Sequence, residues 1–160
     1  MSSSRSPGTF PGTIVAARSL RRWARARLDF VDLTDDVIEV VRDSGIEEGF
    51  CLVYCAHTTC AVIINEWEKG ALEDLRNRVE ELAPADAYYA HDDERRRTQN
   101  LQKEERRNGH SHLAAMLLNG ASQTIPVHEG TLLLGVWQRV FLFELDDPKE
   151  RAVHIQVLGR

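Results

Sequence analysis

A chain of 160 residues, 42% of them apolar, can bury one core unaided but has little room for a second. Its formal net charge of −5 provides no broad positive field for nucleic acid, and no apolar run reaches the length of a membrane helix. Three cysteines, Cys51, Cys55 and Cys60, an odd count without C-x-x-C spacing, argue against a stapled secreted scaffold and read as buried thiols in a reducing, cytoplasmic setting.

Met1 to Pro11 is rich in Ser, Pro and Gly and lacks an apolar h-region. It predicts a loose tail over 1–11, with a single domain over 12–160. Two strands are expected next, about Ile14 to Trp23 and Leu28 to Leu33. The arginines between Arg18 and Arg27 suit an exposed edge strand kept soluble by charge. Thr34 is a candidate N-cap, Asp35 and Asp36 complement the positive end of a helix dipole, and Gly45 stops that helix.

Phe50 to Ala56 is almost wholly apolar, and His57 to Trp67 is rich in β-branched residues. Both read as strands covered on both faces, meeting near His57-Thr58. Their polar members, His57, Thr58, Thr59, Asn65 and Glu66, must be hydrogen-bonded or stand at a site. From Glu68 to Ala83, Leu72, Leu75, Val79 and Leu82 step by three and four along one face, which predicts a helix ended by Pro84.

Between Asp86 and Gly109 the periodicity disappears into mixed-charge runs, a loop long enough to be a lid or binding loop. Ser111 can cap a short helix over His112 to Leu118, closed by Asn119-Gly120. A β-meander is expected thereafter: Ser122 to Val127, Thr131 to Leu134, Trp137 to Leu145 and Ala152 to Leu158. The fold class is therefore α+β, an antiparallel, sandwich-like core with two main helices and one short helix gathered on one side.

Six histidines are present, and they divide. His154 alternates with apolar neighbours and His128 sits in a turn; neither suggests chemistry. His57, His91, His110 and His112 stand at element ends or beside the long loop, ordinary places for a metal ligand or general base. Three neutral imidazoles with an open position suit a catalytic zinc, although no short metal signature is present. Glu66 suits a general base or the outer partner of a metal-bound histidine, or simply a salt bridge at a strand end. Trp137 and Gln138 offer a ring for stacking and an amide for hydrogen bonding, with core packing the equal alternative.

His57-Thr58-Thr59-Cys60-Ala61 with Asn65-Glu66, Tyr89-Ala90-His91-Asp92-Asp93, Asn108-Gly109-His110-Ser111-His112-Leu113, and Gly130-Thr131-Leu132-Leu133-Leu134-Gly135-Val136-Trp137-Gln138 together resemble the YjbQ family, in order and with compatible spacings. That family is described as a secondary thiamine-phosphate synthase. The resemblance implies a homotrimer with a polar site near subunit boundaries; composition argues against a membrane or nucleic-acid partner. The resemblance further implies a transferase that joins a pyrimidine methyl diphosphate to a thiazole phosphate and releases pyrophosphate.

Taken with the residue readings above, the expected catalytic residues are Glu66, His57 and Asp92, and the expected substrate contacts are Thr58, Thr59, Asn65, Gly135, Trp137, Gln138 and Arg139. His57, His91 and His112 are implied as ligands of a divalent metal, zinc or magnesium. Departing pyrophosphate needs cations, and with no Walker-type glycine loop these fall to side chains such as Arg139, Arg97 or Lys103, with the metal. Cys60 stands where the family commonly has alanine, and His110 carries no family role. The alternative is a non-catalytic homotrimer that binds a metal or small ligand.

Overall fold

The computed structural model describes residues 13–160 except 102 and 104, and the side chain of Ile14 lies outside the description. The segment read as a loose tail therefore falls outside the described residues. In chain order the elements are β1 (Ile14–Ala24), β2 (Phe30–Asp32), α1 (Thr34–Ser44), β3 (Glu48–Cys55), β4 (Cys60–Glu66) and α2 (Lys69–Leu82). There follow a 3-10 turn (Ala90–Asp92), α3 (Gly109–Leu118), β5 (Ser122–His128), β6 (Thr131–Leu132), β7 (Gln138–Glu144) and β8 (Lys149–Gly159).

The strands form two antiparallel sheets, a larger one in the order β1-β8-β3-β5-β6 and a smaller one in the order β2-β7-β4. The expected α+β, sandwich-like class is what the chain adopts. Alternation explains the larger sheet. Val153, Ile155 and Val157 of β8 and Cys51, Val53 and Cys55 of β3 turn inward, while His154, Gln156, Phe50 and Tyr54 turn outward. The inward set meets Val62, Val140 and Leu142 of the smaller sheet, and α1 adds Val37, Val40 and Val41.

The smaller sheet is buried on both faces, as the unbroken apolar run of β7 requires. Its other face, with Ala61 and Phe143, is covered by Val79 and Leu75 of α2 and by Ala114, Leu113 and Leu118 of α3. Phe30 stacks on Phe143 with ring centroids 4.2 Å apart. The layers are therefore large sheet, small sheet, then helices.

Three local expectations are corrected. Neither Thr34 nor Ser111 caps a helix: each lies inside one, and each side chain is drawn to a neighbouring strand. The Thr34 hydroxyl donates to Asp32 (2.7 Å) and accepts from the Val140 N–H (2.9 Å), whereas the Ser111 hydroxyl donates to the Leu145 carbonyl (2.7 Å). The four strands after α3 are no meander. Only β5 and β6 pair in sequence; β7 lies in the small sheet, and β8 inserts between β1 and β3. The two strands flanking His57 also belong to different sheets, so residues 56–59 form a corner between layers.

The expected stop of α1 and the arginine-bearing edge strand are both present. Gly45 adopts φ 67°, a left-handed stop for α1. Glu68 caps α2, its carboxylate accepting from the N–H groups of Gly70 (2.8 Å) and Ala71 (2.9 Å). β1 is an edge strand, and its arginines are paired: Arg18 with Glu39 and Asp43, Arg21 with Glu150, and Arg22 with Asp36. No described helix is long and apolar enough to cross a membrane.

Candidate functional site

The interlayer corner 56–59 is held from beneath by a buried ion pair. Arg151 of β8 and Glu144 of β7 are 3% and 0% exposed, and the Arg151 Nε donates to Glu144 at 2.6 Å. Arg151 also donates to the Thr59 hydroxyl (2.9 Å) and carbonyl (3.2 Å). Thr59 is thus a structural anchor, 5% exposed, whereas Thr58 beside it is exposed. Burial lowers the affinity of Arg151 for its proton, but the bond to Glu144 and its charge outweigh that and hold the guanidinium firmly ionised. A lone glutamate inside the apolar run Val140–Leu145 is the sequence signal for this pair.

The long segment after α2 is not structureless. Its 3-10 turn folds back so that the Asp92 carboxylate accepts from the N–H groups of Asn108 (3.1 Å) and Gly109 (3.0 Å) at the start of α3. Gly109 permits the approach, because a Cβ there would lie 2.4 Å from that of Tyr89. Asp92 also contacts His91 Nδ1 at 3.1 Å. It orients His91 and fixes the helix together.

That docking places the rings of His91 and His112 4.4 Å apart. Two clefts meet at Thr58 and His112. One, of about 510 Å³, is lined by His57, Tyr54, Cys55, Cys60 and Met116; the other, of about 750 Å³, by His91, Arg96, Arg97 and Asn100. His57, His91 and His112 therefore share one end of the molecule. Burial holds the His57 imidazole below its ordinary pKa, helped by Arg151; burial does the same for His112, helped by His91. Both favour the neutral ring. His110 is buried against Tyr89 and lines neither cleft, its pKa likewise depressed by burial and then by Arg27.

As a metal site, this donor set is partial. The Ala152 N–H donates to His57 Nε2 (3.3 Å), which engages that lone pair and leaves the ring proton on Nδ1. With Nδ1 facing Asp92, His91 keeps Nε2 as its ligand atom, a carboxylate–histidine arrangement common behind metal-bound imidazoles. Among the described residues no three His, Cys, Asp or Glu side chains are grouped to hold one ion. Within one chain the fit is two imidazoles, His91 and His112, and imidazole suits zinc better than the oxygen-seeking magnesium.

The other sequence-expected residues lie elsewhere. In the β4–β7 ladder Glu66 pairs with Gln138 and Asn65 with Arg139, while Cys60 at the histidine end pairs with Glu144. Six residues of strand separate the two groups by roughly 20 Å. At that far end Trp137 is 72% and Val136 93% exposed. The Gln138 amide oxygen accepts from the Gly135 N–H (2.8 Å), closing the turn, and Arg139 donates to Asp32 (2.7 Å) and Asp35 (3.3 Å). The Asn65 side chain accepts from the Glu66 N–H (2.8 Å), and Glu66 itself is exposed.

The family profile described as "UPF0047 protein YjbQ-like" matches residues 20–160. A UPF0047 protein of Methanothermobacter thermautotrophicus is 39% identical over 134 residues, covering 84% of this chain and 85% of the relative. Among solved structures, a YbjQ-like protein of unknown function from Sulfolobus solfataricus P2 superposes with a TM-score of 0.82 at 34% identity, over 92% of this chain and 99% of that one. A hypothetical protein from Aeropyrum pernix K1 gives a TM-score of 0.78, also at 34% identity, over 90% and 98%. With this fold and these matched residues, the chain belongs to the YjbQ-like UPF0047 family.

Proposed function

We propose that the histidine end is the active site of a cytoplasmic thiamine-phosphate synthase-like transferase acting on small phosphorylated substrates. The observation that carries the reading is the meeting of two open clefts at His112, with His57 lining one and His91 the other. In the reaction the thiazole nitrogen attacks the pyrimidine methylene carbon, and the C–O bond to the diphosphate breaks with its electron pair leaving on pyrophosphate. A ring N–H of His112 faces that growing charge, and Arg96 and Arg97 line the same cleft. Arg97 is already paired with Glu105, so its contribution is orientation more than free charge. A divalent metal, zinc in this donor set, would be held by His91 and His112, and when bound it would neutralise phosphate oxygens.

Glu66, Trp137, Gln138 and Arg139 belong to the same site only if a second copy delivers them. We therefore propose a homotrimer with composite sites. The exposed Val136-Trp137 tip supports this, as does the outer face of the large sheet, where Val15, Phe50 and Tyr54 are exposed.

The test is formation of thiamine phosphate from the two phosphorylated halves by purified protein, with and without added zinc. His112→Ala is expected to lower the rate roughly 10²–10³-fold while the fold persists. Binding of both halves without turnover in the wild type would instead identify a non-catalytic ligand-binding protein.

A further inference from the structure

We propose that Cys55 and Cys60 are a redox-active pair that forms a reversible intrachain disulfide at the floor of the cleft between His57 and His112. The two sulfurs lie 3.0 Å apart, close enough for one thiol to donate to the other. They are the last residue of β3 and the first of β4, so they face each other across the interlayer corner rather than along one strand. Both line the cleft of about 510 Å³, which gives a small oxidant a route to otherwise buried thiols. Cys51, on the same inward face of β3, is fully buried and is absent from the cleft lining.

The chemistry needs a peroxide as oxidant. The thiolate of one cysteine attacks a peroxide oxygen and becomes a sulfenic acid, and the O–O bond breaks with loss of hydroxide. The sulfur of the second cysteine then attacks the sulfenic sulfur. The S–S bond forms, hydroxide departs, and the two thiol protons complete two waters. A dithiol reverses the reaction by exchange through a mixed disulfide. The thiols rest reduced, and the bond persists only until a thiol reductant removes it, as such bonds are transient in reducing compartments. Closing it ties down residues 56–59, which carry His57 and Thr58 between the two sheets. This inference goes beyond the proposed activity and holds whether or not the cleft is catalytic.

The test uses Cys51→Ala protein treated with stoichiometric hydrogen peroxide, unfolded in excess N-ethylmaleimide and weighed intact. Expected is a monomer lighter by two hydrogens that takes up no maleimide, returning to two maleimide adducts after dithiothreitol. Cys60→Ala, which keeps Cys51 and Cys55, is expected to lose no hydrogens. Two maleimide adducts on the peroxide-treated Cys51→Ala protein, or a covalent dimer, would overturn the proposal. So would hydrogen loss in the Cys60→Ala protein. Should Cys51→Ala fail to fold, the wild type serves: peroxide is expected to leave one maleimide adduct of three, and three adducts would overturn the proposal equally.

Discussion

The two ends of the β4–β7 ladder are built on opposite principles. At the histidine end polar groups are tied into the fold: Arg151, Glu144 and Thr59 are buried under the corner, and Asp92 fixes both His91 and α3. At the tryptophan end the polar groups satisfy one another locally, and the apolar ones, Val136 and Trp137, project into solvent. One end is a preorganised cavity, while the other presents exposed apolar side chains. A function that needs both ends therefore needs more than one copy of the chain.

The contrast is broken most severely at the buried pair. Arg151→Ala leaves Glu144 buried without its cation, held only by the Asp146 N–H (2.9 Å), and releases the Thr59 corner. A loss of roughly 3–5 kcal/mol is expected, read as a lowered denaturation midpoint with an unchanged m-value. An Arg151→Ala protein within 1 kcal/mol of wild type, on the scale of ordinary substitutions, would show that the corner does not depend on this pair.

The ion pair nearer the tryptophan end is half exposed, and its effect is smaller and acid-sensitive. Burial pushes the Asp32 carboxyl upward, but the Thr34 hydroxyl and N–H and the Arg139 guanidinium outweigh that and hold it below 3.8. A depressed carboxylate stabilises fully above its unfolded value and loses that contribution as pH falls through its folded one. Asp32→Asn should therefore cost about 1 kcal/mol at neutral pH, discounted because Arg139 is 38% exposed. The gap from wild type should be flat above roughly pH 5 and close as pH falls below 3.8. A gap independent of pH down to acid unfolding would remove Asp32 as the titrating group.

Legibility in the sequence follows the range of the forces. The helix over 69–82 and the alternation of β8 were readable because each depends on neighbours within a turn or along a strand. Strand order was not. The sheet that receives β7 or β8 is settled by which apolar faces meet, a long-range matter that consecutive spacing does not carry. Thr34 and Ser111 look like caps for the same local reason, yet strand partners at Val140 and Leu145 claim their hydroxyls. That His57, His91 and His112 share one end of the molecule is implied by motif resemblance alone, since the residues between them carry no periodicity that would bring them together. The separation of Glu66 and Trp137 from those histidines became visible only with the β4–β7 register, which fixes the ends of one ladder as a strand length apart.

The mildest substitution tests the comparison most directly. Trp137 is 72% exposed and outside both core clusters, so Trp137→Ala should change the stability of a single chain by no more than about 0.5 kcal/mol. If the tip meets another copy, however, truncation removes a large aromatic contact from the centre of an interface, where such residues dominate binding. The expected result is a fall in mass by light scattering at micromolar protein, with the circular dichroism unchanged. Thiamine-phosphate formation should fall with the mass, because a dissociated chain retains the histidines and loses whatever the neighbour supplied. An assembly and a rate both untouched by Trp137→Ala would leave the histidine end to act alone, and the composite site would have to be given up.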